Sequence, residues 1–250
     1  MKIQSFIYPS VLILFIFIGA CVSNENENLD LGNDQAFFPL TIGKYREYQV
    51  DSILYRQGRF LDSVRSYVRE EITGSYKDTI GTLFIILRSV RKKTTDPWLA
   101  SASYTARVDP YRVVYNQDNL NFIPLVFPLK AGTNWDGLAL IQTDQTFNVN
   151  GESIEIYQNW DPFKIEDEIK AEKIGALNFI EVVTVLQTDE DDILSKRYSI
   201  EKYAKGVGLV YKEMTVLDCN NTVNQCSTSV PWDKRATKGF ILRQTITKNN

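Results

Sequence analysis

Tyr45-Arg46-Glu47-Tyr48-Gln49-Val50-Asp51-Ser52-Ile53-Leu54-Tyr55 alternates polar side chains with Tyr, Val and Ile. A period of two places successive side chains on opposite faces of a strand. Phe60 to Ile72 continues the pattern with Val64, Tyr67 and Val68, and Gly58 lies between the two runs. Two such runs around a glycine predict a β-hairpin.

Outward from this hairpin the β-signals recur. Leu83 to Val90 is nearly continuous in apolar residues and suits a central strand. Tyr104 to Val108 and Arg112 to Tyr115 flank the turn signal Asp109-Pro110, and Leu120 to Phe127 is a further strand candidate weakened by Pro124. Leu138 to Val149 and Glu152 to Tyr157 alternate on either side of Asn150-Gly151, the strongest short hairpin signal. Phe163 to Ala171 and Leu177 to Gln187 form another predicted pair around Gly175, with a turn at Asp189 to Asp192. Ile193 to Ala204 fits a bent strand or a short helix. Val207 to Leu217 and Gly239 to Thr247 read as a closing hairpin. No segment holds a long helical period. The expected fold is mainly β: one domain over residues 36–250, a strongly curved antiparallel sheet, half-barrel or barrel, with few short helices.

One internal echo stands out. Phe38-Pro39-Leu40-Thr41-Ile42-Gly43 is matched by Phe127-Pro128-Leu129-Lys130-Ala131-Gly132, and each is soon followed by an aromatic residue. Proline sets an extended entry, leucine plugs the core, and glycine permits a tight turn into a strand. The echo reads first as a recurrent strand-entry device, because the residues after it align poorly. The alternative is a duplicated half-domain with a ligand cleft between the halves.

The first residues carry an address. Lys2 precedes an apolar run from Phe6 to Ile18, interrupted by Pro9 and Ser10, and then come Ile18, Gly19, Ala20 and Cys21. This is the shape of a secretory signal. The run is short for a bilayer span. The four residues Ile18 to Cys21 resemble the bacterial lipobox. That resemblance implies cleavage of a signal peptide over residues 1–20, with diacylglycerol on the Cys21 sulfur and an acyl chain such as palmitate on its amine. Residues 21–35 then form a polar, acidic tether, too poor in apolar side chains to fold. Two or three chains would hold it stably to a membrane.

The whole sequence carries 28 basic and 31 acidic residues for a net charge of −3, and it contains no histidine. A mildly acidic chain without a concentrated basic face is a poor nucleic-acid binder. Of the three cysteines, Cys219 and Cys226 bracket a polar loop. In an exported protein a disulfide is the better reading than a metal site, since thiolate zinc sites need further ligands.

The Phe37 to Ile53 stretch, the Phe127 to Gly137 stretch and Tyr203 to Glu213 (Y-A-K-G-V-G-L-V-Y-K-E) together resemble a family of uncharacterised Bacteroidota lipoproteins. The motifs are structural and carry no activity with them. By analogy the resemblance implies a curved sheet similar to lipoprotein carriers of the LolA type. Ser23, Asn24, Glu25 and Glu27 resemble the surface-export signal of such lipoproteins. The implied location is the outer membrane, on its periplasmic or cell-surface leaflet.

Without histidine there can be no Ser-His-Asp triad, Cys-His dyad or His-ligated zinc. Carboxylate chemistry remains. Trp135-Asp136, Trp160-Asp161 and Glu166 to Glu168 are the densest neighbourhood for a glycosidase-like pair of acids beside sugar-stacking rings. Asp189 to Asp192 lacks the glycine and distant glutamate of an EF-hand loop and reads as a solvated turn. The candidate ligand-binding residues are Trp135 and Trp160, with no cofactor and no metal expected. The reading is therefore a non-catalytic, lipid-anchored binding or accessory module. Its expected partners are a small apolar ligand, a glycan or an outer-membrane protein. The alternative is a carboxylate-based hydrolase of envelope or extracellular polysaccharide.

Overall fold

The computed structural model describes residues 33–56, 59–222 and 226–250, with the backbone alone at 59–62. The lipobox residues Ile18, Gly19, Ala20 and Cys21 and nearly all of the tether lie outside the described residues. Among those described, no helix is long and apolar enough to cross a membrane.

The chain is built of strands. The first six are β1 (Tyr45–Arg56), β2 (Arg59–Lys77), β3 (Thr82–Arg91), β4 (Leu99–Val108), β5 (Val113–Gln117) and β6 (Leu120–Phe122). Then follow β7 (Asn134–Trp135), β8 (Phe147–Val149), β9 (Glu152–Ile154), β10 (Phe163–Ile165) and β11 (Lys170–Ile174). The last four are β12 (Leu177–Asp191), β13 (Ser195–Ala204), β14 (Gly208–Asp218) and β15 (Lys238–Asn249). Helical structure among the described residues is one 3-10 turn, Asp34–Phe37, and one helical turn, α1 (Trp232–Arg235).

Thirteen strands make one antiparallel sheet, ordered β6-β5-β4-β3-β2-β1-β15-β14-β13-β12-β10-β7, with β11 folded back on β12. β8 and β9 form a separate hairpin. The sheet is curved and not closed by a ladder, yet its two edges meet. The Ile123 amide donates to the Gly137 carbonyl at 2.9 Å. The Trp135 indole N–H donates to the Ile123 carbonyl at 2.7 Å.

That order divides the sheet into two halves, β1 to β6 on one side and β7 with β10 to β15 on the other, joined where β1 pairs with β15. Each opens on the echoed motif, and the local geometry repeats. Lys44 N–H bonds Thr41 O at 3.1 Å, and Thr133 N–H bonds Lys130 O at 3.0 Å. Gly43 and Gly132 each donate at 2.8 Å, to the carbonyls of Ile72 and Ile165. Ile72 and Ile165 return a bond to the carbonyls of Lys44 and Thr133, at 2.9 and 3.0 Å. Both glycines sit in the left-handed region, at φ 87° and 82°, where other residues carry a steric cost. The two strand entries thus share one local geometry, as expected of a recurrent strand-entry device.

Several expected strands end early. Leu120 to Phe127 stops at Phe122, before Pro124, which cannot donate to a ladder. Leu138 to Val149 is strand only over its last three residues, because Asp136 accepts the Leu138 amide and starts a turn. The hairpin at Asn150-Gly151 is present, with both residues at positive φ. Phe163 to Ala171 breaks into β10 and β11. β12 runs through Asp191, so the expected acidic turn begins only at Asp192, whose carboxylate accepts the Leu194 and Ser195 amides. Ile193 to Ala204 resolves as a strand from Ser195.

The closing hairpin of β14 and β15 is joined by a long loop, and the Cys219 to Cys226 disulfide staples it, with S–S 2.00 Å and Cα separation 5.8 Å. The main core gathers Phe37, Phe38, Ile72, Ile86, Tyr104, Leu125, Phe127, Phe163, Ile165, Val183 and Val185. It therefore draws on both motifs and both halves.

Candidate functional site

Between the halves lies a cavity of about 210 Å³. One part of its lining is charged, and strand register explains how. Arg46 on β1 stands opposite Glu70 on β2, and Glu70 stands opposite Arg88 on β3. Directly opposed residues share a face, so the three form a row across the curved sheet. Lys212 on β14 likewise stands between Glu201 on β13 and Gln244 on β15. All six line the cavity.

Two ion pairs are closed. Arg88 Nη1 lies 2.8 Å from Glu70 Oε1, and Lys212 Nζ lies 2.8 Å from Glu201 Oε1. The Tyr203 hydroxyl donates to the other oxygen of Glu201. Arg46 is different. Only 6% of it is exposed, and its described hydrogen bond is a long one, 3.5 Å from Nη1 to the Val207 carbonyl. Gly208 makes this placement possible, because a Cβ there would lie 2.2 Å from Arg46 Nη1. Burial opposes the Arg46 charge, but Tyr48, Glu70, Tyr115 and Tyr203 outweigh it and hold the pKa above its ordinary value. Burial likewise pushes the Tyr115 and Tyr203 phenols well up, with Glu70 and Glu201 respectively adding to it. These phenols stay protonated at ordinary pH.

The opposing wall is aromatic. Rings chain from Phe122 to Tyr157 (5.6 Å between centroids), to Trp160 (5.1 Å) and to Phe163 (6.2 Å). The first two contacts are edge-to-face and the last is tilted, and edge-to-face pairs add to the stabilisation that ring burial gives. Ile156, Tyr157 and Trp160 come from the irregular segment between β9 and β10, and Met214, Phe240 and Leu242 from the sheet. The Trp160 indole N–H is tied to the Ile156 carbonyl at 2.7 Å.

The two predicted ligand residues thus separate. Trp160 lines the cavity. Trp135 stands one ring behind, packed on Phe163 at 5.9 Å, with its N–H used in joining the sheet edges. The carboxylates near them do not converge. Asp136, Asp161, Glu166, Asp167 and Glu168 are exposed, and Asp167 pairs with Lys170 at 2.6 Å. Among the described residues no group of three or more acidic, cysteine or histidine side chains could hold a metal. The charged row of Arg46, Glu70 and Arg88 escaped the sequence reading, because charged residues in alternating strands read as the solvent face. The legible signal was that Arg46 shares a parity with Tyr48 and Val50.

No protein-family model matches the chain. No curated protein matches it either. Solved structures do. A Bacteroides fragilis protein named as exported, with a YmcC-like fold, is 14% identical, with 85% of this chain and 99% of that one covered and a TM-score of 0.41. A Parabacteroides distasonis protein named as a lipoprotein is 13% identical, with 86% and 98% covered and a TM-score of 0.36.

Proposed function

We propose that this chain is a non-catalytic binding module of the cell envelope, exported and held at the outer membrane through a lipidated Cys21, whose interior cavity takes a small ligand with an apolar body. The observation that carries the reading is the cavity itself. Interiors are normally packed to the density of organic crystals, and apolar walls with a few placed polar groups are the usual form of a ligand site. Here an unbroken aromatic wall faces a polar row inside one curved sheet. The exposed acids near Trp135 and Trp160 lend nothing to a hydrolase.

Mass spectrometry of the protein taken from its native membrane in mild detergent tests both parts. The denatured mass should equal residues 21–250 plus acyl groups, less two hydrogens for the disulfide. The intact sample should carry one further small mass. A Cys21→Ala variant that stays in the membrane fraction would overturn the anchor. A cavity that takes up no small apolar molecule would overturn the binding module.

A further inference from the structure

Three cations (Arg46, Arg88, Lys212) and two carboxylates (Glu70, Glu201) line the cavity. The carboxylates are taken by Arg88 and by Lys212 with Tyr203. Among the described residues no carboxylate lies within ion-pair distance of Arg46, although it is buried. Its cross-strand neighbour Glu70, whose charge helps keep the guanidinium protonated, closes its ion pair on Arg88 instead, and a buried charge held only at longer range is costly. Two side-chain amides, Gln187 and Gln244, also line the cavity. Gln244 is 4% exposed and has no described hydrogen bond. Gln187, also 4% exposed, uses its Oε1 to accept from Ser199 at 2.7 Å, and its amide N–H groups have no described acceptor. A guanidinium and two side-chain amides in one enclosed space are a donor set that wants an anion, and arginine binds carboxylates through two parallel bonds. The rings of Tyr157, Trp160 and Phe163, together with Met214 of the sheet, line the cavity for an apolar body.

We infer that the cavity binds a monocarboxylate with an apolar tail, the Arg46 guanidinium taking the carboxylate, Gln187 and Gln244 completing its hydrogen bonds, and the Tyr157, Trp160 and Phe163 wall taking the tail. A single excess positive charge is balanced by a single negative one. At roughly 30 Å³ per water-sized group, a volume of about 210 Å³ takes about seven non-hydrogen groups, most of an eight-carbon acid. This inference rests on the binding-module reading above and names its ligand class.

The test is calorimetric titration of the full chain in a non-ionic detergent with octanoate, octanol and octylamine, each corrected for a detergent blank. Octanoate should bind at least ten times more tightly than octanol, and octylamine should not bind. Arg46→Gln should remove the preference for octanoate over octanol, and Arg46→Lys should restore part of it. The wild-type comparison needs no variant, so a misfolded Arg46→Gln leaves the test intact, and Gln244→Leu gives a milder loss of octanoate affinity. Equal binding of all three probes would overturn the carboxylate inference and leave the binding module standing. Binding of none would overturn the binding module itself.

Discussion

The two half-sheets enter by the same backbone device and then diverge in what they bury. Three residues after the glycine, the first half has Arg46 and the second has Trp135. Two residues before the isoleucine that receives the glycine's bond, the first half has Glu70 and the second has Phe163. Arg46 faces Glu70 across β1 and β2, and Trp135 faces Phe163 across β7 and β10. Five residues after the glycine stands Tyr48, whose hydroxyl donates to the Leu209 carbonyl at 2.9 Å. Its counterpart Gly137 has no room for a side chain, since a Cβ would lie 2.2 Å from the Phe163 ring. The same scaffold position therefore holds charge in one half and rings in the other. Backbone geometry is set by the motif, and the chemistry of the shared interior by the side chains hung on it. A cavity between such halves has a charged pole and an aromatic pole.

The largest expected effect comes from emptying the charged pole. Glu70→Leu strands the Arg88 guanidinium it pairs with and should cost about 3–5 kcal/mol, read by chemical denaturation. The triple change Arg46→Met, Glu70→Leu, Arg88→Met, which makes this half resemble the other, should recover most of that loss. A neutral Glu70→Leu would mean that the row is well hydrated and the two poles are less distinct than described.

Next is a feature of the second half. Replacing Cys219 and Cys226 together with serine should cost about 2–3 kcal/mol, the loop-closure value for so short a loop. The same loss should follow reduction of the wild-type protein. A smaller loss would show that the ladder of β14 and β15 holds the loop unaided.

The shared device predicts a matched pair. Gly43→Ala and Gly132→Ala should each cost about 1 kcal/mol, because both have positive φ and a Cβ at either position would meet no atom within 4 Å. Unequal costs would break the equivalence of the halves.

The smallest effect concerns two hairpin turns, one in each half. Asp78 accepts the Ile80 and Gly81 amides, and Asp192 those of Leu194 and Ser195. These bonds, led by Ile80 for Asp78 and Ser195 for Asp192, hold both carboxyls below their ordinary pKa. A depressed carboxylate stabilises the fold above its unfolded pKa of about 3.9, and the contribution fades as pH falls through the lower folded value. Asp78→Asn and Asp192→Asn should each be slightly less stable than wild type at pH 7, with a smaller difference at pH 3, below the unfolded pKa of about 3.9. Denaturation midpoints at the two pH values check this.

Much of the strand order was readable from the chain. The hairpin of β1 and β2, the central β3, the Asn150-Gly151 turn, the closing hairpin and the disulfide all follow from local signals, because period-two alternation and turn residues act over a few neighbours. Trp160 was legible as a candidate ligand residue. Arg46, Glu70, Arg88, Gln187, Gln244 and the need for Gly208 were not. The Phe163 to Ala171 run broke for a similar reason: β10 pairs both β7 and β12, a constraint set by distant residues.

By itself, then, the sequence determined an all-β chain with alternating strands, a stapled loop and a repeated strand entry, since these rest on local backbone preference and on a period of two. Only the tertiary structure decided that the two strand entries open half-sheets meeting edge to edge, and that Arg46 lies inside beside a Glu70 whose ion pair closes on Arg88. Which face of a strand is interior depends on how the whole sheet curves, and that curvature is a property of pairings more than a hundred residues apart, such as Val50 with Gln244.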